Sequence, residues 1–295
     1  MNHNKLIHKK KILITGGAGF VGSHLAKKLY DNNNQVFVID NFFTGKKSNC
    51  HKGINYKKGE TKDIFHLYKN IKLDYIFHLG EYSRVEQSFE DIDLVLKYNT
   101  YPFFEVIKLT KHHQAKLIYS GSSTKFSKDL DKVESPYSFT KRMNTEFLKQ
   151  YAKWYKLKYA ITYFYNVYGE KEIAKGKYST VIAKFLELKK QGQKYLPITS
   201  PGSQRRRFTH VEDIINGLIL VAKNGVGDDY GIGSNKSYSV IDLANLLKMK
   251  YKLTQPKKGN RMNAKLKTKK LINLGWREKH NLASYLKTKI TNNIK

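Results

Sequence analysis

The chain has 295 residues, 40% of them hydrophobic, enough for a sizeable core, so a wholly disordered chain is excluded. Its 55 Lys+Arg against 24 Asp+Glu give a formal net charge of +31, and the single cysteine, Cys50, excludes an internal disulfide or a cysteine-built zinc cage. No apolar run approaches the roughly 20 residues that span a bilayer, so no membrane insertion and a reducing, cytoplasmic setting are expected.

Strand and helix signals alternate along the chain. Lys11 to Thr15 (KILIT) reads as a buried strand that ends at a glycine cluster. Phe20 to Tyr30 reads as a helix with Val21, Leu25 and Leu29 on one face. Strands follow at Gln35 to Asp40, Asp74 to Leu79 and Ala115 to Ser120, separated by helical stretches near Val85 to Lys97 and Phe103 to His112. A helix over Phe139 to Tyr155 and a strand over Tyr159 to Tyr165 come next. Beyond about residue 166 the pattern loosens into helices near Thr180 to Gln191, Val211 to Lys223 and Ser239 to Tyr251. The alternation predicts an α/β protein, a doubly wound parallel sheet with helices on both faces and a smaller C-terminal lobe.

Two motifs carry chemistry. The first is Thr15-Gly16-Gly17-Ala18-Gly19-Phe20-Val21-Gly22, between a strand and a helix. Missing side chains let that backbone turn tightly against a pyrophosphate, which then faces the positive end of the helix dipole. Asp40 ends the second strand, where a carboxylate accepts bonds from both adenosine ribose hydroxyls and repels a 2′-phosphate. NAD is therefore favoured over NADP.

The second motif is Tyr137-Ser138-Phe139-Thr140-Lys141. Tyr and Lys four apart share one helix face, and a neighbouring ammonium favours the phenolate that a general base needs. Upstream, the strand ending at Ser120 opens into Gly121-Ser122-Ser123-Thr124, a hydroxyl cluster at the edge where doubly wound folds place ligands.

The +31 charge is carried by 48 lysines and only seven arginines, scattered along the chain. Base recognition favours the arginine fork, so no specific nucleic-acid partner is expected. The histidines show no metal-ligand spacing, and no metal is expected.

These residues resemble a family. TGGAGFVG, DNFFTG (40–45), FHLGEYSRVEQS (77–88), the hydroxyl cluster, SPYSFTK, YFYNVYG (163–169), QRRRFTHVED (204–213), YGIG (230–233) and LGWRE (274–278) occur in order along nearly the whole chain. They resemble the extended short-chain dehydrogenases/reductases, in particular NAD-dependent sugar-nucleotide epimerases and dehydratases of the UDP-glucose 4-epimerase type.

The resemblance implies a Rossmann-like NAD-binding domain over residues 1–166 and an interleaved sugar-nucleotide lobe over 167–295. It implies that Gly16, Gly19, Phe20, Val21 and Gly22 cradle the pyrophosphate and that Asp40 and Asn41 hold the adenosine ribose. Asp63 and Ile64 would flank adenine, Leu79 and Gly80 would line the nicotinamide side, and Asn99 the inner cofactor pocket. Tyr137 would be the acid/base, Lys141 would also bond the nicotinamide ribose, and Ser122 would be the catalytic hydroxyl. Ser83 would touch the sugar, while Asn166 and Arg206 would hold the diphosphate, with Arg205 and Arg207 as competitors for the last role. Arg84 has two readings: a contact to an acidic sugar, or an outward ion-pair partner of Glu81 or Glu86.

The family's 4,6-dehydratases carry an Asp-Glu pair after the catalytic Thr, and its UDP-glucuronate decarboxylases a Glu there. Ser123 and Thr124 stand in those places. The Cys and His of the epimerase-reductases are not matched either. What remains is oxidation of a nucleotide sugar with hydride passing to bound NAD, rotation of the keto-sugar, and hydride return: 4-epimerisation, an isomerase reaction. The alternatives are dehydration, decarboxylation or net reduction on the same scaffold, then a non-enzymatic NAD- or RNA-binding role. A homodimer through two helices per subunit and a role in polysaccharide biosynthesis are further implications of the resemblance.

Overall fold

The computed structural model describes residues 7–126, 134–259, 262 and 265–292. The strands in chain order are β1 (Lys11–Thr15), β2 (Gln35–Asp40), β3 (Asn55–Lys58), β4 (Tyr75–His78), β5 (Lys116–Ser122), β6 (Tyr159–Phe164), β7 (Asn166–Tyr168), β8 (Tyr195–Thr199), β9 (Arg205–Arg206), β10 (Phe208–His210), β11 (Gly227–Ile232), β12 (Tyr238–Ser239) and β13 (Lys250–Thr254). The helices are α1 (Phe20–Asp31), α2 (Ile64–Tyr68), α3 (Ile92–Asn99), α4 (Tyr101–His113), α5 (Pro136–Tyr155), α6 (Val181–Lys190), α7 (Val211–Asn224), α8 (Val240–Leu246), α9 (Lys269–Asn273) and α10 (Leu282–Asn292).

Seven strands pair in the order β11–β6–β5–β4–β1–β2–β3, all parallel. This is the doubly wound, Rossmann-like sheet that the strand and helix signals predict. Parallel strands need crossovers, and the crossover helices cover both faces, so β1, β2, β4 and β6 are mostly apolar. On β1, Ile12 and Ile14 join Leu25 and Leu29 of α1 and Ile214 and Leu218 of α7 in one core. Leu13 points the other way, into a core with Ile39, Ile76, Leu117, Phe103, Val106 and Leu148. Strand order reverses between β1 and β4, which opens a crevice outside the carboxyl ends of the strands.

The later part of the chain contributes β11 to this sheet and also builds a second core. That core packs Ile182 and Phe185 of α6, Leu196 and Ile198 of β8, Leu243 of α8 and Leu286 of α10.

Two helices differ from expectation. In the stretch 85–97, helix begins only at Ile92, preceded by a single 3-10 turn at Gln87–Phe89. The side chains of Arg84 and Gln87 bond the main-chain carbonyls of Tyr178 and Lys177, so this stretch is held against another segment instead of closing on itself. The helix expected over 239–251 starts with a Ser239/Asp242 capping box but stops at Leu246. Lys248 then takes φ 53°, and the chain runs on as β13 beside β8. Among the described residues, no helix is long and apolar enough to cross a membrane.

Leu148 is fully buried and anchors α5 to the sheet. Leu148→Ala should cost about 2–5 kcal/mol in urea unfolding, by lost burial plus the cavity left behind.

Candidate active site

A cavity of about 910 Å³ opens at the carboxyl ends of the strands, a size suited to a nucleotide and its partner. The glycine loop forms one wall. Gly16 has φ +70°, and a Cβ there would stand 2.8 Å from the Gly80 Cα. A Cβ on Gly22 would stand 2.1 Å from the Gly16 carbonyl oxygen. Gly19 has no side chain to cap α1, so its first N–H groups stay open to the cavity, which Phe20 and Val21 also line. This bare cradle at a helix N-terminus fits a dinucleotide pyrophosphate.

Asp40 lies at the far side of the loop, nearly buried. Its Oδ2 accepts the Ala18 N–H at 2.8 Å and its Oδ1 the Phe42 N–H at 2.8 Å. Burial pushes its carboxyl up, opposed by these N–H bonds. Each oxygen keeps a lone pair for a ribose hydroxyl.

The reacting end is built on β5 and α5. Ser135 caps α5 by accepting the Ser138 N–H, and Pro136 occupies the first turn, where a missing N–H costs nothing. Tyr137 and Lys141, one turn apart, line the cavity with Ser122. The Ser122 Oγ accepts the Thr124 N–H at 3.3 Å and the Thr124 hydroxyl at 2.9 Å, so its own hydrogen stays available to a substrate oxygen.

Glu81 is the residue that sequence reasoning missed. Its carboxylate pairs with the Lys141 ammonium, which also donates to the Ser120 carbonyl. The Glu81 Oε1 accepts the Asn144 amide at 2.9 Å, and both members of the ion pair are buried. Burial alone would raise the Glu81 carboxyl, but Lys141 and His78 outweigh it and hold it below its usual value. The orientation of His78 follows from Thr15, whose Oγ1 accepts the Leu79 and Gly80 N–H groups at 3.1 and 2.9 Å. The Thr15 hydroxyl hydrogen therefore goes to His78 Nδ1, 2.7 Å away, leaving the ring proton on Nε2, 3.6 Å from Glu81. No spacing rule flags Glu81; its only sequence signal is a charged residue directly after a buried strand.

Most of the residues singled out by sequence share this cavity: Gly16, Gly19, Phe20, Val21, Gly22, Asp40, Asn41, Leu79, Gly80, Ser83, Arg84, Ser122, Tyr137, Lys141, Asn166 and Arg206. Of the three successive arginines, only Arg206 lines it. Arg205 bonds Ser237 and Asp242, and Arg207 bonds the carbonyls of Ser234 and Asn235. Three residues are not on the wall. Asp63 is exposed, and Ile64 is buried in the core; Glu60 and Thr61 line the cavity instead. Asn99 lies behind it, accepting the Tyr82 N–H at 2.7 Å and donating to Thr140. Arg84 pairs with neither Glu81 nor Glu86: Lys141 takes the first and Lys257 the second, at 3.1 Å.

An aromatic clasp ties four stretches around the cavity together. Phe43 packs on Tyr98 and Tyr178, each 5.2 Å between ring centres, and Tyr82 meets Tyr178 edge-on. The Tyr82 and Tyr178 hydroxyls both donate to Asp91 Oδ2, at 2.8 and 2.9 Å. Away from the cavity, His210, Glu212 and His280 bring ligand atoms within 4.8 Å of one another. The two rings stack at 4.2 Å and 27°, so their in-plane lone pairs run side by side instead of converging on one ion.

The sequence pattern of the NAD dependent epimerase/dehydratase family matches residues 12–233. A putative UDP-glucose 4-epimerase from Methanocaldococcus jannaschii is 28% identical over 94% of this chain and 96% of its own length. UDP-glucuronic acid decarboxylase 1 from Xenopus tropicalis is 29% identical over 81% of this chain, which spans 60% of that relative. Among solved structures, the Thermotoga maritima UDP-glucose 4-epimerase with UDP-glucose superposes with a TM-score of 0.87 at 28% identity, over 95% of this chain and 97% of that one.

Glu81→Gln leaves the Lys141 ammonium buried beside a neutral amide. It should cost about 3–5 kcal/mol of stability at neutral pH. Because the folded-state pKa of Glu81 lies below its unfolded value, the stabilisation is fully present above the unfolded pKa and is lost as pH falls through the folded one. Urea midpoints measured down to acid pH should therefore fall less steeply for Glu81→Gln than for the parent.

Proposed function

This chain belongs to the NAD dependent epimerase/dehydratase family, and from that premise we propose that it is an isomerase that inverts C4 of a nucleotide-linked hexose, a UDP-hexose. One observation carries the reading. Ser122, Tyr137 and Lys141 line a single cavity, while the two positions after Ser122 hold hydroxyls, Ser123 and Thr124, in place of acids. Oxidation, rotation and return require no carbon acid to be deprotonated and no leaving hydroxyl to be protonated, so this set suffices.

Bound NAD supplies the hydride acceptor and, in the return step, the donor. The glycine loop would hold its pyrophosphate, Asp40 and Asn41 its adenosine ribose, and Leu79 and Gly80 its nicotinamide side. Glu60 and Thr61 would meet the adenine end, with Asp63, Ile64 and Asn99 supporting from behind. Asn166 and Arg206 would grip the substrate diphosphate, and Ser83 the sugar. Tyr137 takes the proton from the sugar hydroxyl, Ser122 donates to the same oxygen, and Lys141 orients the pair. The keto-sugar turns within the cavity, and Tyr137 gives its proton back. Residues 1–166 would form the cofactor domain and 167–295 the sugar-nucleotide lobe, working in the cytoplasm.

A second reading, dehydration or decarboxylation, draws on Glu172. This cavity carboxyl is pushed up to about 7 by burial, against bonds from the Thr180 hydroxyl and the Gly169 N–H. It would provide an acid that Ser123 and Thr124 do not.

A homodimer is part of the proposal. Tyr101 and Phe104 on α4 and Phe139, Trp154 and Tyr155 on α5 are exposed large side chains on neighbouring helices, an area that calls for a partner.

Purified protein is incubated with UDP-, dTDP- and GDP-sugars, without added NAD, and products are separated by chromatography and weighed by mass spectrometry. The expected product has unchanged mass and a new retention time; loss of water or carbon dioxide selects the second reading. Tyr137→Phe should lower turnover by about 10²–10⁴-fold with unchanged circular dichroism. Trp154→Glu combined with Phe104→Glu should convert a dimer to a 34.3 kDa monomer in light scattering.

A further inference from the structure

Four lysines on the cavity wall face carboxylates. Lys141 faces Glu81, Lys257 faces Glu86 at 3.1 Å, Lys97 faces Glu60 at 2.8 Å, and Lys177 faces Asp91 at 2.8 Å. Arg84 is different. Among the described residues, no carboxylate oxygen lies within 4 Å of its guanidinium.

What holds Arg84 is neutral. Its Nε and Nη2 donate to the Tyr178 carbonyl at 3.0 and 2.7 Å, and its Nη1 donates to the Ser83 carbonyl and hydroxyl at 3.1 and 3.3 Å. These bonds fix the plane of the fork and leave an Nη2 hydrogen over. The side chain is half-buried, and this burial pushes the pKa of the group down. The ionisable groups around it are three tyrosines, Tyr82, Tyr137 and Tyr178, and one carboxyl, Glu172. Glu172, the one carboxyl in that set, is itself pushed up to about 7 by burial, so it neutralises Arg84 only in part near neutral pH.

A half-buried cation held only by neutral groups lacks a counter-charge, and a ligand that brings an anion supplies it on binding. The location says where the anion sits on the ligand. Arg84 lies in the same loop as Glu81, which holds Lys141, so it belongs to the reacting end of the cavity. Arg206 and Asn166 come from different elements, β9 and β7.

From this arrangement we infer that Arg84 is a specificity-determining residue, and that the preferred substrate is a nucleotide sugar whose glycosyl unit carries a carboxylate. The inference rests on the nucleotide-sugar reading above and narrows it from hexoses in general to acidic ones. The pre-set arginine plane aims its spare Nη2 hydrogen and its charge at one carboxylate oxygen, and it offers a neutral hydroxymethyl group much less.

The test is equilibrium binding to NAD-loaded protein carrying Tyr137→Phe, which holds ligand without turnover. The probes are UDP-glucuronate, UDP-glucose and UDP, titrated by calorimetry. UDP-glucuronate should bind at least about tenfold more tightly than UDP-glucose. Adding Arg84→Gln should remove that ratio, and Arg84→Lys should restore part of it, because a point charge replaces the fork. Equal affinities, or a preference for UDP-glucose, with Arg84 in place overturn the inference while leaving the nucleotide-sugar reading standing. A preference that survives Arg84→Gln overturns the assignment to Arg84. An equal loss for both sugars also overturns it, since Arg84 would then support the cavity wall and not meet the ligand's charge. Binding of none of the three probes would remove both this inference and the reading beneath it.

Discussion

Two backbone turns meet with no side chain between them, Gly16 after β1 and Gly80 after β4, and the geometry of the whole cavity depends on that contact. A methyl group on either would strike the other's main chain. Thr15 locks the approach by accepting both N–H groups beyond β4 and passing its own hydrogen to His78. The crevice at the reversal of strand order therefore has a fixed width before any ligand arrives. The loop beyond Gly80 is aimed from the same point, which brings Glu81 to Lys141 and Arg84 to the cavity wall. One close approach thus sets both the pyrophosphate cradle and the charged groups of the reacting end.

The sequence was most informative where a backbone demand or a burial demand is local. The apolar strands β1 and β2 read directly, because a parallel sheet covered on both faces wants continuous β-branched and aliphatic residues. Gly16 and Gly22 also read directly, since nothing larger fits. Tyr137 and Lys141 were visible through helical spacing. Less was legible where the deciding partner is distant in sequence. The helix expected from Val85 gives way because Arg84 and Gln87 are held by carbonyls at 177 and 178, about ninety residues on. The helix expected through Tyr251 yields because β8 needs a strand beside it. Glu81 and the choice of Arg206 among three arginines depend on which way a side chain faces, and spacing alone does not say. Asp63, Ile64 and Asn99 rested on resemblance, and the chain places them behind or beside the cavity wall.

Charge is distributed unevenly in a way the total conceals. The chain is +31 overall, yet at and beside the cavity four carboxylates, Glu60, Glu81, Glu86 and Asp91, each meet a lysine. A site meant for a doubly charged diphosphate is thereby kept from becoming a general trap for polyanions, while lysines elsewhere on the surface still favour approach of negative solutes.

The aromatic clasp bears on how the molecule is loaded. Phe43 follows β2, Tyr82 follows β4, Tyr98 sits on α3, and Tyr178 belongs to the segment before α6, so the rings join pieces that no strand or helix joins. Asp91, receiving two hydroxyls and the Lys177 ammonium, fastens the same pieces a second time. Parting them means losing ring contacts and charge-assisted hydrogen bonds together. A dinucleotide lying along the glycine loop would then leave no faster than these segments part. The molecule would keep one cofactor through many turnovers, acting as a catalyst complete in itself, with an activity that does not follow the surrounding dinucleotide pool.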